Sequence, residues 1–227
     1  MSLPQQQPPS TPLTMFRTIV GIGMVCALVI VLVFEATAGR IAENEARALR
    51  KAVDAVMPGA TELRPVSLTG DGLADAVAAE VEFPAFLGYD ANGALLGAAI
   101  TASGMGYQDT IRVIYAYSFE QQAIVGMRVL QSLETPGLGD KIETDPAFVA
   151  NFEQLDVSLD AAGTALQNPV VTVPHGTKEH PWQIDAITGA TVSSDAIGAI
   201  LNDSASEWAP LLVREHVRLQ RSGSVVE

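Results

Sequence analysis

Hydroxyl and carboxyl side chains cluster in one short segment of the chain, DAITGATVSS, which runs from Asp185 to Ser194. The apolar residues that follow recur at helical spacing, so a helix is predicted to begin near Thr191. The first turn of a helix has free backbone N–H groups and a positive partial charge, and both suit a phosphate. The segment could therefore be a helix start that Thr191 caps, or a site where a phosphate binds.

Two glycine-rich loops also have residue types that suit a ligand. SGMGYQD begins at Ser103 and lies between two predicted strands, and ETPGLGDK begins at Glu134 and follows a strand. Their glycines could be ordinary turn residues, and Pro136-Gly137 is a favoured central pair of a type II turn. The unencumbered backbone N–H groups of both loops could also cradle a planar or phosphorylated ligand.

The composition excludes several classes of protein. The formal net charge of −13 and the absence of a basic run argue against nucleic acid binding, which needs clustered Lys and Arg. Cys26 is the single cysteine, so the chain has no disulfide framework and no Cys-rich zinc or iron–sulfur ligand set. His175 and His180 flank the stretch PHGTKEHP, which is predicted to be a solvated loop and not a metal site.

A long apolar run near the N-terminus predicts a membrane span. Thr18 to Phe34 contains 17 residues without a charge, and a spanning helix needs about 20 mostly apolar residues. The sequence Ala-Thr-Ala at 36–38 resembles a signal-peptide cleavage site. The run is longer than the apolar core of a signal peptide, however, and its leader contains only Arg17 as a charge, so an uncleaved anchor over 15–39 is predicted.

The charges around this span favour one orientation on their own. Arg40, Arg47, Arg50 and Lys51 follow the span, whereas only Arg17 precedes it. The positive-inside rule alone would therefore place the C-terminal side in the cytoplasm.

The rest of the chain predicts an α+β fold, with one antiparallel sheet and helices packed on it. The predicted organisation is a disordered tail at 1–14, a transmembrane helix at 15–39, a connecting helix at 40–60 and a domain at 61–227. Alternating apolar residues predict strands in the middle region, and YDANG is a good hairpin connection. The C-terminal helix is predicted to break near 202–206.

The segment DAITGAT resembles the flavinylation motif Asp-x-x-Ser/Thr-Gly-Ala-Thr of FMN-binding domains, with Thr188 where serine is more usual. The resemblance implies that FMN is joined through its phosphate to the hydroxyl of Thr191 by a separate flavin transferase. The ordered combination of one N-terminal span, GMGY, ETPGLGDK and DAITGAT is similar to the G subunit of the Rnf ion-translocating electron-transport complex. The C subunit of the sodium-translocating NADH:quinone reductase has the same pattern but is longer.

The resemblance also implies roles for individual residues. Thr188, Gly189 and Ala190 would shape the turn, while Asp185 would either orient it or help to bind a metal used by the transferase. A cation from Lys178 or Lys141 would lie near the phosphate or the N1–O2 edge of the flavin. The flavin ring would lie against two loops, whose residues are Glu134, Thr135, Gly137, Leu138 and Gly139 in one and Gly104, Gly106 and Tyr107 in the other.

The function that this resemblance implies is electron transfer within a membrane complex. No acid–base pair or nucleophile–His arrangement is apparent, so no independent substrate site is predicted. The implied partners are other membrane subunits, and the implied location is the inner membrane of a bacterium with the flavin domain in the periplasm. This location conflicts with the charge-based orientation, and we follow the family. The rival interpretation is a membrane-anchored structural or binding module in which Thr191 only caps a helix.

Overall fold

The computed structural model describes residues 12–69, 72–76 and 85–222. Its first element is helix α1, Pro12–Val56, which runs without interruption through the predicted span and most of the predicted connecting helix, and ends four residues before the predicted bound at 60. Residues 12–14 of the predicted tail are helical, and the expected disorder of residues 1–11 lies outside the described residues. The helix ends in a turn in which Gly59 has a φ of +95°, as is common just beyond a helix C-terminus.

Helix α1 is long and apolar enough to cross a membrane. An 18-residue window within it has a mean hydropathy of 2.7, and none of that window is buried. The described chain divides into two compact units, of which the first ends at Arg47 and the second begins at Ala48. The apolar window is therefore the part of the molecule that supplies a membrane anchor.

Among the described residues, the main sheet has seven strands in the order β2-β1-β3-β4-β5-β6-β7, and every neighbouring pair is antiparallel. The strands are β1 (Glu62–Thr69), β2 (Gly72–Asp75), β3 (Ala85–Tyr89), β4 (Leu95–Met105), β5 (Thr110–Ser118), β6 (Ala123–Gln131) and β7 (Leu155–Asp156). The predicted hairpin joins β3 to β4. In it the Asp90 carboxylate accepts from the backbone N–H groups of Asn92 and Ala94, and Gly93 takes a φ of +77°.

In the described part of the chain, three further helices and a small parallel sheet accompany the main sheet. The helices are α2 (Lys141–Thr144), α3 (Pro146–Ala150) and α4 (Thr191–Ser222). The small sheet pairs β8 (Val171–Val173) with β9 (Gln183–Asp185). Strand β9 leads directly into the segment DAITGAT, so this pairing determines where the segment enters α4.

The main sheet is covered on both faces, so the interior strand β5 is buried on both sides. Side chains on one face join the core formed with α4, and those on the other join a second cluster with the end of α1. The first set on β5 is Ile111, Val113, Tyr115 and Tyr117, and the second is Ile114 and Ala116. This division of β5 between two faces follows from the alternation of side chains along a strand.

The predicted break in the C-terminal helix is wrong, because α4 is continuous from Thr191 to Ser222. The polar residues that indicated a break are used for contacts inside the domain. The Ser204 hydroxyl lies 2.8 Å from that of Tyr115, and the side-chain amide oxygen of Asn202 accepts from the backbone N–H of Val170 at 3.0 Å. Tertiary contacts thus override the weak helix propensity of these side chains.

Replacing Tyr117 by Phe is expected to stabilise the domain by about 1 kcal/mol, because its buried hydroxyl makes no hydrogen bond to a described residue. Burial raises the pKa of Tyr117 to about 12, because the folded state favours the protonated, neutral hydroxyl over the phenolate. The contribution of this pKa shift to the free energy of unfolding is complete below the unfolded pKa of about 10 and is lost as the pH rises towards 12. Tyr117→Phe should flatten this alkaline loss in thermal unfolding, and the gain in stability at neutral pH should be absent in Tyr107→Phe, whose ring is exposed.

Candidate functional site

The segment before α4 forms a type II turn. The backbone N–H of Ala190 donates to the carbonyl of Ile187 at 3.0 Å, and Gly189 has a φ of +84° at the third position. Glycine is the residue that adopts this conformation without strain. Thr188 and Gly189 are exposed whereas Ala190 is buried, so the turn projects from the surface while its end is anchored in the core.

Thr191 is the first residue of α4, as the sequence predicted, and its side chain is exposed. Its hydroxyl makes no hydrogen bond to a described residue. Ser194 stabilises this helix start instead, because its hydroxyl accepts from the N–H of Ile187 at 3.1 Å and donates to the carbonyl of Ala190 at 2.9 Å. The structure therefore does not use Thr191 as a cap, and its hydroxyl is available at a helix N-terminus.

A buried carboxylate connects this helix start to both glycine-rich loops. Glu134 is only 6% exposed, and its carboxylate accepts from the N–H of Gln108 at 3.1 Å and from the Ser193 hydroxyl at 2.5 Å. The Thr135 hydroxyl donates to the side-chain carbonyl of Gln108 at 3.2 Å. The three segments that the sequence singled out are thus joined at one point, where Glu134 is a structural connection.

Three glycines in these segments leave room for neighbouring groups to pack closely against the backbone. A Cβ on Gly106 would collide with a Glu134 carboxylate oxygen, and a Cβ on Gly139 would lie 2.5 Å from the other oxygen and 2.8 Å from the Ser193 hydroxyl. A Cβ on Gly104 would lie 2.6 Å from Ile200 in α4. Glycine is needed at these positions because neighbouring groups fill the space of a side chain.

Gly139→Ala is expected to destabilise the domain by about 1–3 kcal/mol, because the new methyl group would force Glu134 and Ser193 apart. Gly137→Ala is the matched control. Gly137 has no atom near its Cβ position but has a φ of +78°, so alanine there costs only the backbone strain of about 1 kcal/mol. Thermal unfolding measures whether Gly139→Ala loses more stability than Gly137→Ala. Equal losses of stability in both variants would contradict the packing argument.

Large apolar side chains next to the Glu134 connection face solvent. Tyr107 precedes Gln108 and Val192 precedes Ser193, and a third, Leu138, lies at the Pro136-Gly137 turn that the sequence predicted. Each is more than half exposed, as are Met105 and Leu133. Several exposed apolar groups of this size are typical of a surface that binds a planar ligand or a partner.

Polar residues surround the other side of the turn at 187–190. The Asp185 carboxylate accepts from the N–H of Gly176 at 2.6 Å and lies 3.5 Å from His175 Nδ1. The Lys178 ammonium donates to the Asn151 side chain at 3.0 Å. Partial burial lowers the pKa of Lys178, and the nearby Asp185 carboxylate opposes that shift. A cavity of about 220 Å³ lies beside Thr188, and Lys141 and Asp185 are among its lining residues.

The residues fit a phosphorylated flavin better than a metal ion. Among the described residues, no group of three or more His, Cys, Asp or Glu side chains is placed to hold a metal. His175 and His180 have different neighbours, since His175 lies 3.1 Å from the carbonyl of Ala186 and His180 stacks on Trp182. An exposed hydroxyl at a helix N-terminus suits a phosphate, and the adjoining apolar side chains suit an aromatic ring.

Sequence reasoning missed three residues that assemble this site. Gln108, Ser193 and Asn151 each connect segments at least 26 residues apart, so no local spacing reveals them. Ser193 lay inside the motif stretch, but nothing in the sequence distinguished it from Ser194. No sequence signal connects Lys178 with the end of α3, whereas the structure connects them through Asn151.

The fold and the site define the class of the domain. The sequence model of the family described as FMN-binding domain matches residues 106–206, a range that includes the ETPGLGDK and DAITGAT segments. A solved structure supports the fold: the C subunit of the Na⁺-translocating NADH-quinone reductase from Parabacteroides distasonis. It superposes with a TM-score of 0.59 at 17% identity, over 76% of this chain and 96% of that chain.

Relatives of similar length identify the family more narrowly. The G subunit of the ion-translocating oxidoreductase complex of Methanosarcina acetivorans is 30% identical over 79% of this chain and 85% of its own length. The G subunit of the Na⁺-translocating ferredoxin:NAD⁺ oxidoreductase complex of Acetobacterium woodii is 29% identical over 84% and 88%. The chain belongs to the family of G subunits of these ion-translocating, or Rnf, complexes.

Proposed function

We propose that the protein carries FMN covalently on Thr191, through a phosphoester, and relays electrons within an Rnf-type ion-translocating ferredoxin/NAD oxidoreductase complex. The observation that carries the proposal is the exposed Thr191 hydroxyl, which makes no hydrogen bond to a described residue although it stands at the start of a long helix. A cap would have used this hydroxyl, whereas an attachment site needs it to be free.

Attachment requires an activated flavin phosphate and a second protein. A flavin dinucleotide supplies this activation: the Thr191 oxygen bonds to the flavin-side phosphorus, the pyrophosphate bond breaks and a nucleoside monophosphate leaves. The hydroxyl proton passes to a base. No general base is evident among the described groups around Thr191, so we assign this step to a flavin transferase. Thr188 and Gly189 would present the exposed turn to that enzyme.

The residues of the chain would then hold the attached cofactor. The first N–H groups of α4 have no acceptor within the helix and would donate to the phosphate. Tyr107 and Leu138 would lie against the ring. Gly106 and Gly139 allow the two loops to approach Glu134, Gly104 allows β4 to approach α4, and Gly137 permits the turn after Pro136. Lys178 or Lys141 would add a positive charge near the phosphate or the ring. The FMN supplies the electron-transfer chemistry, and no independent substrate site is proposed.

The anchor and the family support a proposal for the partners and the location. The relatives named as G subunits belong to ion-translocating complexes by name, so we propose other membrane subunits as the electron donor and acceptor. We place the flavin domain on the periplasmic side of the inner membrane, against the charge-based orientation. A covalent bond is useful in that compartment, because a flavin lost from the protein could not be replaced from a local pool.

Denaturing gel electrophoresis tests the proposal. The full-length protein is produced with and without an active flavin transferase, denatured and viewed under ultraviolet light. Fluorescence that stays with the band only when the transferase is present supports covalent flavin. A band that remains dark despite an active transferase would favour the rival, a binding module without covalent flavin.

A further inference from the structure

Asn151 is a buried polar residue that sequence reasoning did not single out. It lies at the C-terminal end of α3 and is 6% exposed, yet both ends of its side-chain amide have partners. The amide nitrogen donates to the carbonyls of Phe148 at 3.0 Å and Asp185 at 3.3 Å. The amide oxygen accepts from the N–H of Asp185 at 3.1 Å and from the Lys178 ammonium at 3.0 Å.

The two bonds between Asn151 and Asp185 serve as strand pairing on the second edge of β9. Strand β9 pairs with β8 on one edge, and at Asp185 the Asn151 amide bonds to both the N–H and the carbonyl on the other edge. A side-chain amide has a donor and an acceptor side by side, as a backbone neighbour has. Neither aspartate nor leucine at this position could make both bonds.

Asp185 also fixes the loop that contains Lys178. Its carboxylate accepts from the N–H of Gly176, two residues before Lys178, and the Lys178 ammonium returns to Asn151. Asn151 thus connects three parts of the domain. They are α3, strand β9, which enters the turn at 187–190 before Thr191 (the attachment turn), and the one lysine of that loop. Only Ala186 separates Asp185 from Ile187, where the turn begins.

We propose that Asn151 is a positioning residue for flavin attachment, which sets the entry of β9 into the attachment turn and holds the Lys178 ammonium beside it. It acts through Asp185 and Lys178 and not by contact with the flavin. The inference rests on the proposed attachment of FMN to Thr191. It goes beyond that proposal by assigning a requirement to a residue that lies 40 positions earlier in the chain.

The test measures the initial rate at which purified full-length protein, in detergent, acquires covalent flavin from FAD and a limiting amount of transferase. Asn151→Leu is expected to slow incorporation at least tenfold. Lys178→Met should also slow it, and the double variant should be no slower than Asn151→Leu alone, because the leucine has already released the lysine. Asn151→Asp, which keeps the size and the acceptor but loses the donor to Asp185, should fall between wild type and Asn151→Leu.

Asn202→Leu is the matched structural control, because it removes a similar side-chain bond, to the N–H of Val170, away from the attachment turn. It should lower the melting temperature but leave the rate of incorporation unchanged. The inference is overturned if Asn151→Leu and Asn151→Asp incorporate flavin at the wild-type rate. It is also overturned if Asn202→Leu slows incorporation as much as Asn151→Leu does. The same holds if the double variant is slowed by the product of the two single effects of Asn151→Leu and Lys178→Met. A wild-type protein that acquires no flavin would instead overturn the proposed function. Thr191→Val gives the background signal, because it lacks the proposed attachment oxygen.

Discussion

Thr191→Val is expected to abolish covalent flavin, with no fluorescence left on the denatured band. Valine has the shape of threonine without the hydroxyl, so it removes the one atom to which the phosphoester would form. The side chain is exposed and its hydroxyl makes no hydrogen bond to a described residue, so stability should change by less than about 0.5 kcal/mol. Circular dichroism and thermal unfolding would check that the fold is intact.

Two companion variants make the assignment specific. Thr188→Val removes the neighbouring exposed hydroxyl of the same turn and should keep most of the covalent flavin. Thr191→Ser keeps a hydroxyl and should be modified, though more slowly, because the loss of the methyl group frees the rotamer of the side chain. Fluorescence in Thr191→Val together with its loss in Thr188→Val would move the attachment site to Thr188.

The local parts of this site were predictable from the sequence, since their signals lie within a few residues of each other. The type II turn at Pro136-Gly137 follows from the fixed φ of proline and the freedom of glycine, and the structure shows it with Gly137 at +78°. The start of α4 at Thr191 follows from the apolar spacing after it. The antiparallel sheet follows from alternating residues in the middle of the chain.

The connections between these parts were not predictable, because they join residues far apart in the sequence. Glu134 was expected to lie against the flavin ring, yet its carboxylate reaches a residue 26 positions before it and another 59 positions after it. The role of Ser204 was hidden for the same reason, since its bond to Tyr115 spans 89 positions. A polar residue has the same local signal whether it ends a helix or hydrogen-bonds inside the domain.

The start of α4 is therefore held from two sides by different chemistry. On one side Glu134 connects Ser193 to the two glycine-rich loops, and their exposed apolar side chains form the candidate ring surface. On the other side Asn151 fixes the backbone of Asp185 just before the turn. An electron-transfer subunit needs its cofactor at a constant distance from its partners, and these two anchors would restrict how far Thr191, the proposed attachment residue, can move.

Glu134→Leu is expected to disrupt the first of these anchors and to slow flavin incorporation more than tenfold. Leucine occupies a similar volume but accepts no hydrogen bond, so it leaves the Gln108 N–H and the Ser193 hydroxyl without their partner. Hydrogen bonds to charged groups contribute about 1.5–3 kcal/mol each, so the loss of both should cost the domain about 3–6 kcal/mol of stability. Thermal unfolding of the apo-protein measures that loss separately from incorporation.

Glu134→Gln separates the hydrogen bonds from the charge. Its amide oxygen can still accept from the Gln108 N–H, and its amide nitrogen can donate to the Ser193 oxygen, so the loops should stay joined and flavin should be incorporated. Removing a negative charge near the ring should raise the flavin midpoint potential, by about 30 mV per 1.4 kcal/mol of lost repulsion for a two-electron couple. Glu153→Leu, at an exposed carboxylate, should change neither rate nor potential. Wild-type incorporation in Glu134→Leu would show that the loops are held together without this carboxylate.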